Sequence, residues 1–179
     1  MGFPHPTPDL PGKWPALRAE VAAVQIPTQD SHTLLQLLDT DSLMHQEPAH
    51  ICATAWVFSQ NLEQILLVRH STLGWSMPGG HLNQHETSRN GALRELLEET
   101  GLDAAALQIV GDAPAIIHQH RTVGEIPHQH WNIGWLYVGD SAASLTSIHD
   151  AQWWPIDKLP AGPEDRGNIF PQLLQLLPL

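Results

Sequence analysis

Residues 80–102, GHLNQHETSRNGALRELLEETGL, constrain this chain more than any other stretch. On an α-helix at 100° per residue, Glu95, Glu98 and Glu99 fall within one arc of about 100°. Ala92, Leu93, Leu96 and Leu97 fall on the other side and make an apolar stripe. One face is therefore expected to pack on a core while the other carries a carboxylate cluster. Thr87 is placed to cap the first turn, and Gly101 to end the helix in the left-handed conformation. Upstream, Pro78-Gly79-Gly80 reads as a turn whose backbone can approach a ligand closely. Gly91, one turn before Glu95, is expected to leave room above the cluster.

Three carboxylates so close together repel. Like charges at i,i+3 or i,i+4 destabilise a helix by about 0.2–0.5 kcal/mol per pair. Arg94 precedes Glu98 by one turn and offsets one charge. A divalent cation would answer the rest, and all-oxygen donors favour Mg²⁺ or Mn²⁺. The alternative is a solvated acidic face.

Gly80, Glu86, Arg94, Glu95, Leu96, Glu98, Glu99, Gly101 and Leu102 stand in a fixed frame. The frame is glycine, five residues, glutamate, seven residues, then Arg-Glu-apolar-any-Glu-Glu-any-Gly-apolar. It resembles the Nudix box at every constrained position. More loosely, the order of strands and helices over residues 50–177 resembles the rest of a Nudix domain. The resemblance implies an α/β (α+β) fold: a mixed β-sheet sandwiched between helices, with the box as a loop–helix–loop at its edge. It also implies a metal-dependent hydrolase with Mg²⁺ or Mn²⁺ as cofactor. The reaction would cleave the diphosphate (phosphoanhydride) linkage of a nucleoside diphosphate joined to another moiety, by attack of water on phosphorus.

Carried over by position, the resemblance makes Glu95, Glu98 and Glu99 metal ligands, with the Gly80 carbonyl as a backbone ligand. Glu98 is the expected base, and Arg94 orients the glutamates. Glu86 is either an outer metal contact or the partner of an arginine. The alternative function is a catalytically silent Nudix domain that senses a nucleotide metabolite or serves as an interaction module. A Nudix isomerase would need a catalytic cysteine in a suitable motif, which Cys52 in its apolar run does not supply.

Charge narrows the partners. The formal net charge is −11, with only eight Lys plus Arg. That leaves no basic footprint for a nucleic-acid duplex or an anionic membrane, so the expected partner is a small nucleotide-like diphosphate. A single cysteine excludes a disulfide within the chain and fits a cytoplasmic location. Cys52 itself reads as a small buried hydrophobe. No signal peptide or membrane span is evident in the polar, proline-broken stretch at 1–15.

Residues 1–48 are expected to form an N-terminal arm and a helical extension packed on a body at 49–179. The helices are predicted over 16–24 and 32–40, the second capped by Ser31. Packing is the expected role of this extension, with a lid or a homodimer contact as alternatives. In the body, strands are predicted over 50–59 and 64–70, over 107–118 with interruptions at Gly111 and Pro114, and over 130–140 and 146–156, with a short extended piece over 72–77 leading to the box. A polar loop is expected at 119–129. A helix over 168–177 closes the chain, with Pro171 in its first turn.

Twelve histidines are many for 179 residues. His118 and His120 have strand spacing, as do His128 and His130. Transition-metal binding, substrate contact and a plain loop or surface role are all open for them, although no neighbouring carboxylate or cysteine completes a zinc spacing. His81 and His85 lie in the box loop, where they either touch a phosphate or fill permissive positions. Trp75 precedes the box and could stack a base. Arg69 and Arg121 are scarce cations that could meet a phosphate. Arg69, Trp75, Arg121, His128 and His130 are thus the substrate-binding candidates.

Overall fold

The computed structural model describes residues 14–40, 49–71, 73–83, 86–121, 129–146, 150–162 and 166–177. Residues 1–13 of the expected arm, His85 and His128 lie outside them.

Two helices come first, α1 (Trp14–Ala22) and α2 (Gln29–Asp39). Thr28, not Ser31, caps α2. The Thr28 hydroxyl accepts from the Ser31 amide, and the Ser31 hydroxyl accepts from the Thr28 amide. Ser31 is therefore the N3 residue of a capping box. Arg18 pairs with Asp39 across the two helices.

The body begins with β1 (Ala49–Ser59), β2 (Gln64–His70), β3 (Gly74–Ser76) and β4 (Gly79–His81). It continues through α3 (Ser88–Thr100), β5 (Leu107–Ile109), β6 (Ile116–Arg121), β7 (Gln129–Gly139), β8 (Ala151–Pro155) and α4 (Arg166–Leu174). The strands form one mixed sheet with the path β3-β2-β1-β7-β5, while β4 pairs with β1, β6 with β7 and β8 with β2. β1 and β7 run parallel in unbroken register from Ala49–Gln129 to Ser59–Gly139. The near-continuous apolar run of β1 suits a central strand covered on both faces.

Alternation along β1 separates two cores. Ala53, Ala55 and Val57 face Leu17, Val21, Leu34 and Leu38 of α1 and α2, together with Ala92 and Leu96 of α3. Trp56 and Phe58 face Ile169, Phe170 and Leu173 of α4. The sheet is thus sandwiched between helices, as expected.

Several boundaries differ from the sequence reading. The expected strand at 107–118 is two strands, split by a turn in which Gly111 has φ +82°. Both halves pair antiparallel with β7. Residues 119–121, expected in a loop, extend β6 because β7 supplies their ladder partners. The expected strand at 146–156 narrows to β8. Pro171 sits inside α4 rather than in its first turn, and removes the amide that would bond the residue 167 carbonyl.

Candidate active site

The box places its turn beside the middle of β1. Gly79, Gly80 and His81 of β4 pair with Thr54, Ala53 and Cys52. Thr87 then caps α3, its hydroxyl accepting from the Asn90 amide at 3.3 Å. Gly101 closes the helix at φ +65°. The buried side of α3 is Ser88, Gly91, Ala92, Leu96 and Thr100. Leu93 and Leu97 are only half-buried, so the helix is rotated from the expected stripe. That rotation carries Glu95 and Glu99 into half-buried positions and leaves Glu98 exposed.

Arg94 ties the carboxylates together. Its Nε donates to Glu86 Oε1 at 2.9 Å and one terminal nitrogen to Glu86 Oε2 at 3.0 Å, a bidentate pair. The same terminal nitrogen reaches the His81 carbonyl at 3.1 Å. The other donates to Glu95 Oε1 at 2.6 Å and to Glu98 Oε2 at 3.3 Å. The hydrogen bonds that Arg94 donates to Glu86, and then to Glu95, hold the guanidinium pKa above its ordinary value. Glu86 also accepts from the Asn83 amide at 2.9 Å, so it links the box loop to the helix.

Two glycines let the turn and the helix close on each other. A β-carbon at Gly91 would sit 2.4 Å from Leu82 Cδ2. The space expected above the cluster is therefore filled by Leu82 of the box loop. A β-carbon at Gly80 would overlap the Glu95 carboxylate. Glu99 reaches the same turn and accepts from the Gly79 amide at 2.9 Å. Burial raises the Glu99 carboxyl to about 7, the Gly79 amide opposes the shift, and Glu95 and Glu98 add to it.

These residues fit a hard divalent cation. The donors are all oxygens, and Glu99 is a partly buried carboxylate whose charged form is disfavoured where it stands. One arginine pairs with three glutamates, and Glu99 stands beside them on the Gly79 amide, so negative charge remains for a cation to answer.

The substrate-binding candidates are scattered. Arg69 pairs with Asp150 at 3.4 Å on the exposed side of β2. Trp75 lies edge-on to Trp154, 5.2 Å between ring centroids, and joins the α4-side core. Arg121 is exposed at the end of β6. His130 does contact a residue of the box loop: its Nε2 is 3.4 Å from His81 Nε2.

Two contributions were not anticipated. Glu20 of α1 accepts from the Ser88 amide at 3.3 Å, and Trp135 of β7 donates to the Ser88 hydroxyl at 2.8 Å. The N-terminal extension thus supports the first turn of the box helix. Nothing in residues 16–24 marks Glu20 for this, because the contact depends on how α1 lies against α3. Cys52 is buried as expected, and desolvation, with help from Glu95, pushes its thiol up to about 12.

Comparison with known proteins agrees with this fold. A candidate 8-oxo-dGTP diphosphatase of Bacillus subtilis (strain 168) is 31% identical over 99 residues, 55% of this chain and 62% of that protein. The match thus spans about three fifths of that relative's length. The Mycobacterium smegmatis Nudix hydrolase RenU superimposes with a TM-score of 0.55 at 17% identity, over 73% of this chain and 89% of that one. The NUDIX domain of Shewanella oneidensis NrtR, solved with ADP ribose, gives 0.54 at 18% identity, over 78% and 96%. At such identities these structures speak for the fold alone. The sequence pattern of the NUDIX domain itself matches residues 48–173, which includes the glycine turn, the α3 carboxylates and the sheet that holds them. The chain belongs to the NUDIX domain family.

Proposed function

We propose that this chain is a metal-dependent hydrolase of nucleotide-like diphosphates. The reaction joins a water oxygen to phosphorus and breaks the bridging phosphoanhydride bond. The hold of Arg94 on Glu95 and Glu98, beside the Gly79-Gly80 turn that touches Glu95 and binds Glu99 through its amide, carries this reading. Glu95, Glu98, Glu99 and the Gly80 carbonyl would hold Mg²⁺ or Mn²⁺. When bound, such ions lower the pKa of water and neutralise charge on the phosphates.

The remaining work belongs to side chains. Glu98 is the most exposed of the three glutamates, which supports it as the base that takes the proton of the attacking water. Arg94 keeps Glu95 and Glu98 in place, and Glu86 keeps Arg94 in place. The name of the Bacillus relative and the ADP ribose held by NrtR support a nucleoside-containing substrate. No helix of the described residues is long and apolar enough to cross a membrane; with the acidic charge, this supports a small-molecule substrate in the cytoplasm.

The test is release of phosphate and nucleotide from a panel of diphosphates, with Mg²⁺ and with Mn²⁺, beside Glu98→Gln. The panel holds nucleoside triphosphates including oxidised ones, nucleotide sugars, ADP-ribose, dinucleoside polyphosphates, NADH and coenzyme A. Turnover of one class, lowered about 10²–10⁴-fold in the variant, is the expected result. Binding without turnover of any compound would favour the sensor reading instead.

A further inference from the structure

On the face of the sheet opposite α3, one end of the strands carries an unusual set of side chains. Cys52 pairs in register with His81 across β1 and β4, and with Asn132 across β1 and β7. His130 precedes Asn132 by two residues and pairs with His120 of β6. Alternation places all of these side chains on one face, the face that α4 covers farther along. The rings of His120 and His130 stand edge to face at 5.0 Å between centroids, as do those of His130 and His81. Cys52 Sγ and a ring nitrogen each from His81 and His130 all lie within 4.8 Å of one another.

We propose that Cys52, His81 and His130 form a second metal site, for a transition ion of the Zn²⁺ class. Thiolate and imidazole are the donors such ions select, whereas Mg²⁺ selects oxygens. With Zn–N bonds of about 2.0–2.1 Å, two nitrogens of a tetrahedral site stand roughly 3.3 Å apart. The His81 and His130 Nε2 atoms are already at 3.4 Å. Rotation of the side chains brings Sγ to a third vertex. His81 is exposed, so the fourth position is open to water. His120 packs on His130 and holds its ring. Binding displaces the Cys52 thiol proton to solvent, one proton per ion, and forms the metal–sulfur bond.

Strand β4 then bears two metal sites of opposite hardness. Gly80 turns toward the carboxylates of α3, and the next residue, His81, turns toward the thiol. An ion on His81, Cys52 and His130 joins β4, β1 and β7, the strands that seat the box turn.

Co²⁺ added to the full, metal-free chain tests this. Cys52 is the only cysteine, so a thiolate-to-cobalt charge-transfer band can arise from no other residue within the chain. One equivalent is expected to produce that band with the visible bands of four-coordinate cobalt. Zn²⁺ should displace them, and excess Mg²⁺ should not. Cys52→Ser should abolish the charge-transfer band. His81→Ala and His130→Ala should each weaken binding at least about tenfold. Glu98→Gln should keep both the band and the affinity.

His81 is exposed, so His81→Ala keeps the test valid if Cys52→Ser fails to fold, as circular dichroism would reveal. Absence of a charge-transfer band in the folded chain overturns the site. Binding unchanged in both histidine variants also overturns it and assigns the ion to other histidines.

Discussion

The Gly80 α-carbon lies against the Glu95 carboxylate: a β-carbon added there would meet Oε1 at 2.5 Å and Cδ at 2.6 Å. Gly80→Ala must therefore push Glu95 off its position on Arg94. The backbone of β4 can keep its ladder to β1, so the fold should survive. A displacement near 1 Å can lower a rate by about 10²-fold. Loss of turnover of that order, with weaker Mg²⁺ binding and unchanged circular dichroism, is expected. Full activity in Gly80→Ala would show that the Glu95 position is not used.

Arg94→Lys should fail as a conservative change. Lysine lacks the planar fork that reaches both Glu86 oxygens. The side chains are 25% and 13% exposed, between the surface and buried regimes of ion pairing. A loss of about 1–3 kcal/mol in urea unfolding is expected. Glu86→Gln should lose less, because the amide oxygen still accepts from the arginine.

The Glu99 carboxyl gives a pH dependence of definite sign. Its pKa rises to about 7 in the folded chain. The unfolded group titrates at about 4.3. Between these values the folded state binds more protons, so this contribution to stability is present at low pH and is lost as pH rises toward 7. Mg²⁺ would bind the ionised form, and its stabilising effect should grow over the same window. Thermal unfolding at pH 5 and pH 8, with chelator and with Mg²⁺, checks both signs. Glu99→Gln should flatten the part of the slope that belongs to this group.

Glu20→Ala tests the link between the N-terminal helices and the box. It removes an acceptor from the first turn of α3, where capping contacts contribute about 0.5–2 kcal/mol. A loss near 1 kcal/mol is expected from the 3.3 Å contact. No measurable change would leave α1 and α2 as packing elements alone.

The local part of this protein was legible in its sequence. Thr87, Gly101 and the glutamates announce α3 because caps and helical periodicity are short-range. The apolar run of β1 announces a buried strand for the same reason. What sequence reasoning missed depends on register. The stripe of α3 is rotated so that Gly91 is buried against Leu82, a contact that no helical wheel contains. The strand expected over 107–118 splits because β7 takes both halves and Gly111 turns between them. Cys52 looked like an isolated small hydrophobe. Only the pairing of β1 with β4 and β7 brings it to histidines far along the chain.

The parallel pairing of β1 with β7 has a kinetic consequence. Ala49 meets Gln129 only after the box and the strands β2 to β6 of the described residues have been made. Closing so long a segment is slow. β2 and β4 take one edge of β1 and β7 takes the other, so the strand that seats the glycine turn is complete only when this last partner arrives. During synthesis or refolding, α3 can present its glutamates well before the sheet beneath them exists. Recovery of turnover should therefore follow the slowest refolding phase, behind the return of helical signal.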